Sequence, residues 1–317
     1  MNIAIIGPGA MGCLFAYLLS KSEAVIWLLD NHVERKNRIE QEGLFVEGVS
    51  GDHHLMPRIT LDPEQIGPVD LILLCVKAGD TFAAAGSAKP LLDKGTSFLT
   101  LQNGLGNIEK IEEALGKGVV LGGTTAMGAT VLAENRIRHA GWGETVIGET
   151  SGRKTERLER ILSLFSSSGI QVSHTEDLEG LLWSKLIVNV GINALTALTR
   201  LHNGELVHYA GTRRVMHQAV EEACQVAREK GIRLLHANPV EKVESVCKAT
   251  AGNISSMLQD VLRAKTTEVE NINGAVVKEG ERLGIPTPVN AVLRDLVMTI
   301  QESYAKRVQL QEIMENV

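Results

Sequence analysis

Asn2-Ile3-Ala4-Ile5-Ile6-Gly7-Pro8-Gly9-Ala10-Met11-Gly12 is a short run rich in β-branched residues, followed by three glycines at the spacing G-x-G-x-x-G. The run predicts a buried strand over Asn2–Ile6. Cys13–Leu19, small and apolar, predicts a helix packed against the sheet. Each glycine has a job at that junction. Gly7 makes the tight turn out of the strand, Gly9 leaves the backbone bare for an approaching pyrophosphate, and Gly12 lets the helix lie close to the strand. The unpaired amides of the first helical turn then face the phosphates, with the positive end of the helix dipole behind them. The segment Gly7, Pro8, Gly9, Ala10, Met11, Gly12 is therefore the candidate binding loop for a dinucleotide. The alternative is a tight turn that binds nothing.

Downstream, strands and helices alternate. Ala24–Leu29 reads as a second strand ending at Asp30, and Leu44–Ile59 as a turn-rich stretch suited to a small hairpin. Val69–Val76 is a strongly apolar strand running into Lys77. Thr81–Leu92 reads as a helix, Ser97–Leu101 as a strand leading into Gln102-Asn103-Gly104, and Ile108–Leu115 as a helix. Val119–Met127 reads as strand plus turn, Arg136–His139 and Glu144–Ile147 as strands, Lys154–Ser166 as a helix and Ile170–Ser173 as a last strand. From about Asp177 helical periodicity takes over, with segments near Leu178–Thr199, Ala210–Lys230, Pro239–Ala249, Ser255–Leu262, Thr267–Leu283 and Pro288–Gln311. The expected fold is an α/β Rossmann-type, doubly wound N-terminal domain (1–177) with an all-α C-terminal domain (178–317).

Bulk properties narrow the function. At 317 residues two domains are the default. A formal net charge of −6 argues against a nucleic-acid partner, which calls for a basic face. Apolar runs such as Leu71–Val76 are too short to span a bilayer, so no membrane partner is expected. The N-terminus runs straight into a strand, without a basic segment and apolar stretch, and no secretion signal is expected. Cys13, Cys75, Cys224 and Cys247 form no C-x-x-C pair, which suits thiols in a reducing cytoplasm. The nine histidines show no H-x-x-x-H spacing, so no metal site is expected.

Three groups of polar residues could carry chemistry. Lys185, Asn189 and Asn193 are spaced four apart on an otherwise apolar helix and so share one face. A solvent-facing stripe usually carries several charges and this one has one, so the row needs a polar partner. Asn253-Ile-Ser-Ser256 precedes a helix that Ser255 or Ser256 could cap. Glu268, beside Glu270, is by itself no more than a candidate surface carboxylate. Lys77 and Asn103 follow strands at their carboxyl ends, the edge that lines the ligand crevice of an open α/β sheet.

Taken together, Gly7-Pro-Gly-Ala-Met-Gly12, Val76-Lys77-Ala78, Gln102-Asn103-Gly104, Trp183-Ser-Lys185-Leu-Ile-Val-Asn189, Asn203-Gly-Glu205, Asn253-Ile-Ser-Ser256-Met and Thr267-Glu268 resemble the ketopantoate reductases (2-dehydropantoate 2-reductases) along essentially the whole chain. The resemblance implies reduction of 2-dehydropantoate to pantoate with a nicotinamide cofactor, on the route to pantothenate and coenzyme A. It implies Lys185 as proton donor, and Asn103, Asn189, Asn193 and Asn203 as substrate contacts. Ser256 would bind the substrate carboxylate. Lys77, Asn103 and Ala129 would contact the cofactor, and Glu268 would stand at its nicotinamide end with a catalytic part. The partner is then a small 2-oxo acid, the location cytoplasmic, and a homodimer is compatible. One position departs from the NADPH-preferring pattern, which often has an arginine just after the second strand. Leu29-Asp30-Asn31 stands there instead. An aspartate favours the ribose hydroxyls of NAD(H) and repels a 2′-phosphate, with Arg35 and Lys36 a turn into the next helix. The family pattern points to NADP(H), and Asp30 pulls toward NAD(H). The rival readings are a reductase for another 2-oxo or 3-hydroxy acid, and a non-catalytic dinucleotide sensor. The sensor has no use for the Lys185 row.

Overall fold

The computed structural model describes residues 1–306, which fall into two compact units, Met1–Leu182 and a second that begins at Trp183. The first unit runs β1 (Asn2–Ile6), α1 (Ala10–Leu19), β2 (Val25–Leu29), α2 (Val33–Glu42), β3 (Leu44–Gly48), β4 (His53–Leu55), β5 (Arg58–Thr60), β6 (Leu71–Leu74), α3 (Thr81–Ser87), β7 (Ser97–Thr100) and α4 (Asn107–Leu115). It continues with β8 (Val120–Thr125), β9 (Gly128–Ala133), β10 (Arg136–Gly141), β11 (Thr145–Glu149), α5 (Glu156–Ser167) and β12 (Val172–His174).

Eight strands form one sheet in the order β12-β11-β8-β7-β6-β1-β2-β5, parallel except where β11 meets β8. Both faces of this sheet are buried, and the period of two along each strand shows it. Ile3, Ile5, Leu71 and Leu73 join α1 and α5 in one core, whereas Ala4, Ile6, Ile72 and Leu74 join α3 and α4 in the other. That double burial is why these strands read as unbroken apolar runs rather than alternating ones. Chain order reverses around β1, with β2 on one side and β6 on the other. In a doubly wound sheet the crevice at the strands' carboxyl ends opens at such a point.

The structure departs from the sequence expectation in several places. A second sheet, β4-β3-β10-β9, contains the anticipated β3–β4 hairpin and also β9, where no strand was expected. The helix expected over Thr81–Leu92 stops at Ser87, and Pro90 sits in a separate 3-10 turn over Lys89–Leu91. Proline has no N–H to donate and disfavours helical geometry at the residue before it. The helix expected from Thr267 begins only at Asn273. Ahead of it the Thr267 amide and hydroxyl both bond Gln301 Oε1, and Thr267 Oγ1 accepts from the Val269 amide, so local hydroxyl bonding replaces the first helical turn.

The second unit is helical, and no strand follows His174 among the described residues. Its elements are α6 (Leu178–Thr199), which begins in the last residues of the first unit, α7 (Ala210–Glu229), α8 (Pro239–Ala249), α9 (Ser256–Leu262), α10 (Asn273–Leu283) and α11 (Pro288–Glu302). The helix expected over Pro288–Gln311 ends at Glu302, where Ser303 is the C-cap and a 3-10 turn follows over Tyr304–Lys306; the rest of that expected span lies outside the described residues. By length and composition α6 could cross a membrane, a property missed when only uninterrupted apolar runs are weighed; in the fold it is mostly buried. It packs closely where Gly191 stands. A Cβ there would fall 2.7 Å from Val243 of α8 and 3.0 Å from Val220 of α7.

Candidate active site

The glycine loop has the geometry its spacing implies. Gly7 has φ +84°, a value that suits glycine, and its amide donates to the Leu29 carbonyl at 3.0 Å. A Cβ on Gly12 would lie 2.4 Å from the Gly7 carbonyl oxygen and 3.3 Å from Cys75 Cβ, so α1 can start only with glycine at this point. Gly9 differs, because a Cβ there would meet nothing within 4 Å. The first helical bond runs from Cys13 N to Gly9 O, and no side chain caps the helix. The amides of Ala10, Met11 and Gly12 therefore have no partner within α1. Open space over Gly9, beside those amides and the positive helix end, fits a pyrophosphate. Cys13 Sγ donates to Pro8 O at 3.1 Å and fastens the loop from below, and burial pushes that thiol up to about 12.

At the end of β2 the structure shows something the sequence did not. Asp30 is buried, its side chain 1% exposed. Arg35 Nε donates to Oδ2 and Arg35 Nη2 to Oδ1, both at 2.6 Å, and the Asn31 and His32 amides donate to Oδ1 at 2.8 and 3.1 Å. The carboxylate expected to take ribose hydroxyls is occupied by its own chain. Arg35 is itself half-buried, with Glu134 3.8 Å from its Nη1. Lys36, the other basic candidate, pairs with Glu40.

Lys77 and Asn103 sit at the carboxyl ends of β6 and β7, half-buried. Gln102, which sequence reasoning passed over, ties these ends together. Its amide nitrogen donates to Val76 O at 2.7 Å and Thr81 Oγ1 at 2.9 Å. Asn107 Nδ2 donates to Asn103 O, and Lys110 Nζ to Ala78 O. Ala129 lies on β9 opposite His139, packed with Met11 against the core that contains α1.

In the helical unit, α6 carries Lys185, Asn189 and Asn193. At about 100° per residue, Gly191, the contact with α7 and α8, points to the opposite side of the helix from that row. Asn193 is buried and Lys185 half-buried. Burial lowers the Lys185 ammonium to about 8, and the charge of Glu268 works against that fall. Glu268 is 9% exposed, so it is no surface carboxylate, and the neighbouring Thr267–Gln301 bonds pin its turn. Asn189 Nδ2 and Asn203 Oδ1 are buried without a hydrogen-bond partner among the described residues. One offers a donor and the other an acceptor. Asn203 Nδ2 is already used by Thr250 Oγ1.

The two serines ahead of α9 divide their duties. Ser255 is the N-cap, its Oγ accepting from the Leu258 amide at 3.1 Å, and it is buried. Ser256 is exposed and is not the cap. The choice left open by the sequence is settled by the backbone: Ser255 is extended at φ −60°, ψ 155°, as a cap must be.

Similar proteins are found along both units. Residues 3–152 match the family described as Ketopantoate reductase PanE/ApbA, and residues 177–301 match its C-terminal counterpart. A 2-dehydropantoate 2-reductase of Halobacterium salinarum is 37% identical over 302 residues, covering 95% of this chain and 99% of that protein. One from Vibrio cholerae is 32% identical and covers 96% and 100%. The crystal structure of a PanE/ApbA family ketopantoate reductase from Ralstonia eutropha superimposes with a TM-score of 0.88 at 33% identity, covering 96% and 99%. D-mandelate dehydrogenase, solved with NADH and anilino(oxo)acetate, gives 0.90 at 26% identity, covering 97% and 100%. On these matches, which run through both units, the chain belongs to the ketopantoate reductase family.

Proposed function

We propose that this chain reduces 2-dehydropantoate to pantoate, with NADPH as the reductant and Lys185 as the proton donor. The observation that carries the reading is the pair of buried amide atoms without a partner among the described residues, Asn189 Nδ2 and Asn203 Oδ1, in the same unit as the desolvated Lys185. Buried polar atoms are rarely left without partners, and ligands are one reason they are. A 2-oxo acid that also carries a hydroxyl suits them. The hydroxyl can donate to Asn203 Oδ1 and accept from Asn189 Nδ2.

Bound cofactor supplies the hydride to the C2 carbonyl. Gly7, Pro8, Gly9, Ala10, Met11 and Gly12 would hold its pyrophosphate, with Lys77, Asn103 and Ala129 further along it. As hydride adds, negative charge grows on the carbonyl oxygen. The Lys185 ammonium stabilises that charge and then gives up its proton. A group that loses its proton near pH 8 is charged at neutral pH and yet parts with the proton readily. Glu268 keeps Lys185 protonated by its charge. Asn193 joins Asn189 and Asn203 on the substrate, and Ser256, relieved of capping, would bond the carboxylate.

NADPH is favoured because Asp30 is paired with Arg35, which offsets the carboxylate charge that would repel a 2′-phosphate and places a guanidinium beside it. A second reading has one specific support, the similarity to D-mandelate dehydrogenase solved with NADH and an oxo acid. In that case the substrate is another 2-oxo acid and the donor NADH. Steady-state turnover on 2-dehydropantoate and a panel of 2-oxo acids, with each reduced cofactor, decides between them. The highest kcat/KM should fall on 2-dehydropantoate with NADPH, and a larger value on another acid would overturn the assignment.

A further inference from the structure

Thr196 continues the α6 row by one more turn beyond Asn193, and it is fully buried. Its Oγ1 lies 3.0 Å from Ile192 O, 2.9 Å from Asn193 O and 2.6 Å from Ser255 Oγ. A hydroxyl has one proton to give. The carbonyls can only accept, so Thr196 donates to them and Ser255 donates to Thr196. Ser255 Oγ in turn accepts from the Leu258 amide. The result is a directed chain from the first turn of α9, through both hydroxyls, to the carbonyl of Asn193.

The other end of the same loop is fixed as well. Asn203 N donates to Asn253 O at 3.0 Å, Gly204 N to Ala251 O at 3.2 Å, and Asn203 Nδ2 to Thr250 Oγ1 at 3.0 Å. The loop 250–255 is thus tied to the Asn203 turn at one end and to α6 at the other. A buried threonine often bonds only the carbonyl one turn back along its own helix. Here it also reaches a residue 59 positions away. If the position had only to fill space, valine would fill it without burying a polar atom.

We propose that Thr196 is a positioning residue for substrate binding: by holding Ser255 it sets where the adjacent Ser256 hydroxyl stands relative to Asn193, and so fixes the carboxylate contact. The inference rests on the assignment of Ser256 to the substrate carboxylate.

The test compares Thr196→Val, Thr196→Ser and Ser256→Ala in the full-length protein, each followed by melting and by steady-state kinetics with 2-dehydropantoate. Thr196→Val should raise the KM for the oxo acid about tenfold, the worth of one or two lost hydrogen bonds, with kcat and the cofactor KM within about twofold. Thr196→Ser keeps the hydroxyl but leaves a methyl-sized gap. It should restore KM while its melting temperature stays low, which a merely structural role would not do. Adding Thr196→Val to Ser256→Ala should raise KM no further. A normal KM in Thr196→Val, or a KM that tracks melting temperature across the variants, overturns the proposal. If Thr196→Val does not fold, Ser255→Gly replaces it, since glycine still serves as a cap but breaks the link; an unchanged KM there overturns the proposal equally. An unchanged KM in Ser256→Ala locates the fault in the Ser256 assignment. A raised KM in Ser256→Ala with a normal one in Thr196→Val locates it in the role of Thr196.

Discussion

The glycine loop and the α6 row prepare for ligands in opposite ways. The loop works by leaving side chains out. Gly7 and Gly12 are glycine because neighbouring backbone allows nothing else, and Gly9 keeps open the space above the helix amides. The row works by putting side chains where they are costly. Burial lowers the Lys185 ammonium to about 8, and Asn189 and Asn203 each keep an atom without a partner among the described residues. Where backbone binds, damage comes from adding atoms. Where side chains react, damage comes from removing them.

The largest break should come from Lys185→Ala. Loss of a general acid lowers kcat by about two orders of magnitude or more. The dissociation constant for cofactor, measured by fluorescence titration, should stay within about twofold, because the loop lies in the other unit. Near-normal kcat would remove Lys185 from the chemistry.

Next comes the loop, where two glycines separate by kind. Gly9→Val should weaken cofactor binding by about tenfold or more, since overpacking costs about 1–3 kcal/mol. Its melting temperature should fall by no more than about 4 °C, because the site is open in the fold. Gly12→Val collides with the Gly7 carbonyl and should lose roughly 5–10 °C. Equal destabilisation by the two would mean that Gly9 is only a turn residue.

These two regions were not equally legible. The loop was, because its requirements are local: a strand, a positive φ and two close approaches within six residues. The β9 strand was not, since Gly128–Ala133 is half-buried along most of its length and carries no alternation to read. The α6 row was legible as spacing, but Glu268 was not, because its burial depends on how Gln301 holds the preceding threonine. The pairing of Asp30 was hidden for a related reason. Its identity suggests a ribose contact, while its partner, five residues on, is fixed only by where α2 begins.

That pair yields the smallest of the three effects. Arg35→Ala should lower the NADPH-to-NADH ratio of kcat/KM about tenfold, roughly the value of one charged contact near a surface. Asp30→Ala should move the ratio in the same direction, because it releases Arg35. A ratio that rises in Asp30→Ala would return Asp30 to the ribose and favour NADH.

The most direct measurement is the pH dependence of kcat/KM for 2-dehydropantoate reduction. Burial lowers Lys185 to about 8 against the opposing charge of Glu268. The active form is the protonated one, so the rate should hold below that value and fall about tenfold per pH unit above it. In Glu268→Gln the charge that retains the proton is gone, and the falling limb should move to lower pH. A rate that stays flat well beyond pH 8, or a limb that does not move in the variant, would contradict Lys185 as the proton donor.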